Sequence, residues 1–301
     1  MPTVRLTVAI LMAAIAAACS GDGGGSGQSQ RDQLAVVASF YPLAEVLSRV
    51  GGDRVAVTNL TPPGVEPHDI ELTPRQVDRL EDADVVVYLG RGFQAAVEDV
   101  AERRDGSTVD LFDNIEPDAD ADPGESEADP HVWLDPTLLA EAVDVVADAL
   151  AEASSRDTDL FSDNAKAYKA ELEALDAEFA DGVVSCERRE IVTSHAAFFY
   201  LARRYGLTQL PIAGLSPEAE PDADRLATLA DEIETRGVTT VFYEELVSPE
   251  VAETLAREAG VATAVLNPIE GLSEEDVAAG KDYAAVMRDN LAALREALGC
   301  R

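Results

Sequence analysis

Short apolar, β-branched segments alternate with amphipathic segments in two successive halves of this chain. In the first half, the strand-like segments cover residues 34–40, 54–60 and 84–90. In the second half, they cover residues 190–194, 238–243 and 261–266. Alternating strand and helix signals imply right-handed crossovers and parallel sheets. The two halves share this architecture but no repeated sequence motif.

The segments between the strands predict helices. Residues 42–50 and 74–82 are two of them, the second with Thr73 as N-cap and Pro74 in its first turn. A longer uninterrupted stretch covers about residues 162–181. Its apolar stripe consists of Tyr168, Leu172, Leu175 and Phe179.

The pattern therefore predicts an α/β fold of two lobes, each with a parallel sheet flanked by helices, joined by one long rigid helix. The predicted boundaries are residues 34–158 for the N-terminal lobe, 159–182 for the interdomain helix and 183–301 for the C-terminal lobe. In this layout a ligand binds in the cleft between the lobes, at the C-terminal ends of the strands.

The first 33 residues predict an export signal and a tether. One basic residue precedes an uncharged apolar run too short to cross a bilayer, so we assign residues 1–18 to a signal peptide. The sequence AAAC at residues 16–19 resembles the lipobox of bacterial lipoproteins, which implies lipidation of Cys19. Residues 19–33 are rich in Gly, Ser and Gln, as in a flexible tether. We expect an extracytoplasmic protein anchored to the membrane by lipidated Cys19; a secretory signal with an incidental cysteine is the alternative.

Charge sets this chain apart from an average globular protein. The 301 residues include 23 Lys+Arg and 58 Asp+Glu, a formal net charge of −35, while the hydrophobic fraction of 47% is ordinary. So acidic a surface repels phosphate backbones, so we expect no nucleic acid partner and favour a cationic ligand. Eight acidic side chains and no basic ones lie in residues 113–129. We interpret this segment as a solvated loop, with loose cation collection as the alternative.

Two cysteines remain after Cys19. In an oxidising compartment, Cys186 and Cys300 are expected to form a disulfide. Two unpaired buried thiols are the alternative.

The chain has only three histidines, and each follows a strand or lies in a proline-framed turn. His68 lies in PPGVEPHD, His131 in DPHVWLDP, and His195 directly follows the strand at 190–194. Strand ends and the loops after them line the cleft of an α/β fold, so the three imidazoles can converge. Neutral imidazole is the commonest zinc ligand, and three of them leave one position of a tetrahedron open.

The motifs GVEPHDIELTP, DPHVWLDP, TSHAAFFYLARRYGL, GLSPEAEP and LNPIEGL resemble those of the periplasmic zinc/manganese-binding lipoproteins that feed ABC importers. The resemblance covers nearly all of residues 34–301. It implies metal held between two α/β lobes by His68, His131 and His195, with an importer permease and ATPase as partners. Manganese-type members usually have Glu where this chain has His195, so Zn²⁺ is the expected ligand and Mn²⁺ the less favoured one. We expect a monomer.

The fourth ligand departs from the family pattern. Family members often have Asp just after the last strand of the second lobe, whereas this chain has Asn267. Asn267 is the predicted fourth ligand, through its side-chain carbonyl oxygen. Water, Glu66, Glu244 or Glu245 are the alternatives.

The predicted function is capture of Zn²⁺ outside the membrane and delivery to an ABC importer, with no enzymatic activity. Because imidazoles bind metal only when unprotonated, zinc affinity is expected to fall as the pH drops through about 6.5. Two alternatives are a three-histidine zinc hydrolase or hydratase, and a related tethered binding protein for an iron chelate.

Overall fold

The computed structural model describes residues 33–68, 70–115, 129–219 and 221–301. The predicted signal peptide and Cys19, most of the predicted tether, and residues 116–128 of the acidic segment lie outside this range. Residues Gln33–Arg301 form one compact unit. None of the helices in the described residues combines the length and apolar composition needed to span a bilayer.

Two four-stranded parallel sheets organise the chain. The strands are β1 Leu34–Ala38, β2 Val55–Asn59, β3 Val85–Tyr88, β4 Ser107–Asp110, β5 Glu190–Thr193, β6 Thr208–Pro211, β7 Thr240–Tyr243 and β8 Ala262–Val265. The first sheet has the order β2-β1-β3-β4 and the second the order β6-β5-β7-β8. In both sheets the strand order reverses: the second strand pairs with one side of the first strand, and the third strand pairs with its other side. Such a reversal opens a crevice at the C-terminal edge of the sheet.

Helices cover the sheets and join them. They are α1 Tyr41–Gly51, α2 Pro74–Asp82, α3 Ala95–Ala101, α4 Pro136–Ala153, α5 Thr158–Val183, α6 Phe199–Tyr205, α7 Ala223–Arg236, α8 Glu250–Ala259, α9 Glu274–Ala279 and α10 Tyr283–Leu298. The predicted N-cap of α2 is present and forms part of a capping box: the Thr73 side chain accepts from the Gln76 backbone N–H, and the Gln76 side-chain oxygen accepts from the Thr73 backbone N–H. The predicted α/β class is confirmed.

The long helix α5 contributes to the core of both halves. It has 26 residues, which corresponds to about 39 Å. The predicted apolar stripe, from Tyr168 to Phe179, is at most 2% exposed. A continuous cluster of buried residues extends from β1 through α4 and α5 to α10. The two halves therefore share one core.

A disulfide closes the base of the second half. It joins Cys186, just after α5, to Cys300 at the end of α10, as predicted. Backbone hydrogen bonds from Glu187 and Arg188 to the Leu298 carbonyl reinforce the junction. The bridge lies before β5, at the opposite end of that strand from His195.

Candidate metal centre

Four side chains from loops at the C-terminal edges of both sheets converge on one point. His68 lies in the loop after β2, and His131 opens a short turn of 3-10 helix, Val132–Leu134, before α4. His195 follows β5 almost directly, and Glu270 lies in the loop after β8. Their nitrogen and carboxylate oxygen atoms all lie within 4.8 Å of one another. We call these four residues the His3Glu cluster.

The interatomic distances in the His3Glu cluster fit a small tetrahedral cation. Glu270 Oε1 lies 3.0 Å from His131 Nε2, 3.2 Å from His195 Nε2 and 3.3 Å from His68 Nε2. The Nε2 atoms of His131 and His195 are 3.2 Å apart. Ligand atoms at zinc bond lengths in a tetrahedron are about 3.3 Å apart. The side chains are therefore arranged around a volume the size of one metal ion.

The cluster is nearly closed to solvent. His131 and His195 are fully buried, Glu270 is 2% exposed, and the His68 side chain is 9% exposed. The ring of Phe93 packs edge-on against His68, with 4.7 Å between centroids. Burial of polar and charged groups at this density is costly unless they are paired with one another or with a metal.

Two further carboxylates orient the imidazoles from behind. Asp129 Oδ1 accepts from His131 Nδ1 at 2.7 Å and from the His131 backbone at 2.9 Å. Glu244, directly after β7, accepts from His195 Nδ1 at 2.7 Å. With Nδ1 as the donor, the Nε2 lone pair of each ring faces the centre of the cluster. Asp129, predicted to lie in a solvated acidic loop, is instead buried and bonded to a histidine.

Electrostatics at the site favour positive charge. Burial alone lowers the pKa of an imidazole, but the carboxylates of Asp129 and Glu270 raise the pKa of His131. The His195 pKa, opposed by burial in the same way, rises to about 10 beside Glu244 and Glu270. Protons therefore compete with a metal cation for these nitrogens.

The pKa values of Glu270 and Glu66 are shifted in opposite directions by their surroundings. Burial raises the pKa of a carboxyl group, yet the three histidines hold that of Glu270 well below its usual range. Burial and the Glu270 charge raise the pKa of Glu66 to about 8. Glu270 is thus the anionic member of the site.

The prediction that Asn267 supplies the fourth ligand atom requires correction. The Asn267 side chain is engaged within its own loop: Oδ1 accepts from the Ile269 backbone at 2.7 Å, and Nδ2 donates to Glu245 at 2.8 Å. Glu270, three residues later, is the fourth member of the cluster. It lies within LNPIEGL, one of the motifs that carry the family resemblance, which points to the residue just after the strand, Asn267, and not to this carboxylate.

The alternative fourth ligands have other partners. Glu66 accepts from the His68 backbone at 3.0 and 3.1 Å, and Glu244 and Glu245 bond to His195 and Asn267 respectively.

Comparison with known proteins places this geometry in context. A family model described as the periplasmic zinc-uptake complex component A, ZnuA, matches residues 36–297. The chain is 38% identical over 311 residues to the zinc-binding lipoprotein AdcA of Streptococcus pneumoniae, covering 98% of this chain and 61% of AdcA. It therefore spans about three fifths of that relative's length. Identity is 37% over 289 residues with the high-affinity zinc uptake system protein ZnuA of Bacillus subtilis, covering 91% and 90% of the two chains.

The fold matches that of a solved structure. The crystal structure of the Zn(II)-bound ZnuA-like domain of Streptococcus pneumoniae AdcA aligns with a TM-score of 0.77 at 38% identity, covering 88% of this chain and 99% of that domain.

Proposed function

Because this chain belongs to the periplasmic zinc-uptake component A family, we propose that it captures Zn²⁺ outside the cytoplasmic membrane and delivers it to an ABC importer. The observation that carries the proposal is the convergence of three imidazoles, two of them fully buried and that of His68 nearly so, and one carboxylate within 4.8 Å. Loops of both sheets supply these ligands, so the ion would be held between the lobes.

The ligand set favours zinc over manganese. Imidazole nitrogen suits zinc, whereas manganese and magnesium are better served by carboxylate, carbonyl and water oxygens. We expect one Zn²⁺ per chain and much weaker binding of Mn²⁺, measured by native mass spectrometry and competition with a chromophoric chelator. Equal affinity for the two ions would contradict the proposal.

Binding rather than catalysis fits a site with four protein ligands. A catalytic zinc site keeps one position for water, and here Glu270 lies where that water would bind. Esterase or CO₂-hydration activity of the zinc form above that of free zinc would favour the hydrolase alternative. The space between the ligand atoms of the His3Glu cluster holds about one ion. An iron chelate is larger and would need a wider cleft.

The remaining parts of the proposal concern location and partners. We propose that the chain is exported, anchored through lipidated Cys19 and docked on an importer permease with its ATPase. We retain residues 34–158, 159–182 and 183–301 as the proposed lobes and connecting helix. Mass spectrometry of the membrane-extracted protein, with acyl chains on Cys19 of the processed form, would test the anchor.

Zinc affinity is expected to rise by at least about tenfold per pH unit between pH 6 and 8. The raised pKa of His195, about 10, means that its imidazole still holds a proton throughout this range, and zinc must displace that proton. The dependence thus extends above the pH of 6.5 expected for an unperturbed histidine. Chelator competition at several pH values measures it. An affinity that is constant above pH 7 would contradict this electrostatic account.

The carboxylates behind the imidazoles are expected to matter without touching the metal. Asp129→Asn and Glu244→Gln should each weaken zinc binding about 10–100-fold, because the Nδ1–H of His131 or of His195 then loses its carboxylate acceptor. Asp144→Asn, at an exposed carboxylate paired with Lys169, is the matched control. Affinities within twofold of wild type for both variants would show that these carboxylates do not support the ligands.

A further inference from the structure

The loop that carries Glu270 contains a residue in an unfavourable backbone conformation. Ile269 has a φ of 58°, in the left-handed region that β-branched residues rarely adopt. Its side chain is fully buried in the shared core. In the described part of the chain, Arg91 is the other non-glycine residue with positive φ. Such a conformation persists only where the surroundings enforce it.

Asn267 supplies one of the contacts that enforce it. Its Oδ1 accepts from the Ile269 backbone N–H at 2.7 Å, which closes an Asx turn across Pro268. Asn267 is itself fixed, because its backbone N–H donates to Asn290 Oδ1 at 2.8 Å and its carbonyl accepts from Asn290 Nδ2 at 2.7 Å. The residue is 5% exposed. The turn therefore has a rigid base in α10.

The opposite side of the turn is held from the other half of the molecule. Trp133 Nε1 donates to the Pro268 carbonyl at 2.7 Å, and the Trp133 ring lies against His131 with 5.1 Å between centroids. The loop of the fourth ligand is thus bonded to the turn that carries the second histidine. Asn267 and Trp133 together leave Glu270 little freedom to turn away from the imidazoles.

We propose that Asn267 is a positioning residue for Glu270: by closing the turn over Pro268, it stabilises the left-handed Ile269 and thereby directs the Glu270 carboxylate to the three imidazoles. This inference rests on the proposed zinc function. Asn267 acts through Glu270 and does not itself bind the ion. Zinc binding with four protein ligands therefore requires the Asn267 acceptor.

Cobalt substitution separates this role from a merely structural one. Tetrahedral Co²⁺ absorbs visible light much more strongly than five- or six-coordinate Co²⁺. Asn267→Ala should weaken the Co²⁺ bands and lower zinc affinity about 10–100-fold, as loss of an outer support typically does. Asn267→Asp combined with Glu245→Gln keeps an oxygen acceptor for the Ile269 N–H and an amide–carboxylate pair between the two side chains, and should restore the wild-type spectrum. Asn114→Ala is the control, because the Asn114 side chain likewise bonds the backbone of its own turn, by donating to the Asp110 carbonyl, but lies outside the site.

A double-variant cycle tests whether Asn267 acts through Glu270. In a Glu270→Ala background, Asn267→Ala should lower zinc affinity less than twofold further, because the ligand it positions is already gone. Should the alanine variant fail to fold, as judged by circular dichroism, Asn267→Leu, which keeps the branched shape of the side chain and removes the acceptor, is measured in the same way.

The outcomes distinguish the inference from the function on which it rests. A wild-type Co²⁺ spectrum and zinc affinity in Asn267→Ala, or an equal loss of affinity in both backgrounds, would overturn the positioning role and leave zinc capture standing. A wild-type protein that binds neither Zn²⁺ nor Co²⁺ in a tetrahedral site would overturn both.

Discussion

Alanine in place of any one residue of the His3Glu cluster is expected to lower zinc affinity more than about 100-fold. Removal of an outer support typically costs about 10–100-fold, and loss of a direct ligand should exceed that. The four variants are His68→Ala, His131→Ala, His195→Ala and Glu270→Ala. Each substitution also removes a partner of the cluster members that remain. Metal content by mass spectrometry and chelator competition measure the loss.

Thermal unfolding gives an independent measurement of the same change. Zinc at about 100 times its Kd stabilises the folded state by about 2.7 kcal/mol, so the wild-type Tm should rise when zinc is added. The four alanine variants should show little or no rise at the same zinc concentration. Glu178→Ala is the matched control, because Glu178 is an exposed carboxylate paired with Arg288. Full zinc stoichiometry in all three histidine variants would contradict the site.

Removal of the Cys186–Cys300 disulfide is expected to destabilise the protein by about 4–5 kcal/mol. The two cysteines are 114 residues apart, and the chain-entropy model gives that value for a loop of this length. Urea unfolding of the oxidised wild type and of the Cys186→Ser/Cys300→Ser variant measures the free-energy difference. A difference below about 1 kcal/mol would show that the bridge constrains the unfolded chain far less than its loop length implies.

The disulfide and the metal centre should behave independently. Cys186 precedes β5 and His195 follows it, so the bridge and the His3Glu cluster lie at opposite edges of the second sheet. Under conditions where the serine variant is folded, its zinc affinity is expected to remain within about threefold of wild type. This makes the serine variant a control for general destabilisation in the ligand experiments.

Three strands of each sheet could be predicted from the sequence, and the fourth could not. The predicted strands are rich in Val, Ile and Ala and are mostly central. The missed strands, Ser107–Asp110 and Thr208–Pro211, are four residues each, lie at sheet edges and contain polar residues. Their pairing depends on neighbouring strands and not on an apolar run of their own. The long helix was predicted because its stripe of large apolar residues keeps a helical period over several turns.

The histidines of the candidate site could likewise be predicted from the sequence, whereas its carboxylates could not. Histidines are so rare in this chain that their positions at strand ends indicated a shared site. Glu270 is one of 58 acidic residues, and no spacing distinguishes it. The position of its carboxylate depends on the left-handed conformation of Ile269 and on the hydrogen bond from Trp133 to the Pro268 carbonyl, and both are tertiary features. Asp129 is one of eight acidic residues in the segment 113–129, and nothing in that sequence marks it as the buried partner of His131.

The most direct test of the account is X-ray absorption at the zinc edge of the protein loaded with one equivalent of zinc. We predict a four-coordinate ion with three imidazole nitrogens at about 2.0–2.1 Å and one carboxylate oxygen at about 2.0–2.2 Å. In Glu270→Ala a water oxygen should take the place of the carboxylate oxygen, so the scattering from the carboxylate carbon just beyond the first shell should disappear. Fewer than three imidazoles in the wild type, or carboxylate-carbon scattering that persists in that variant, would contradict a zinc site built from His68, His131, His195 and Glu270.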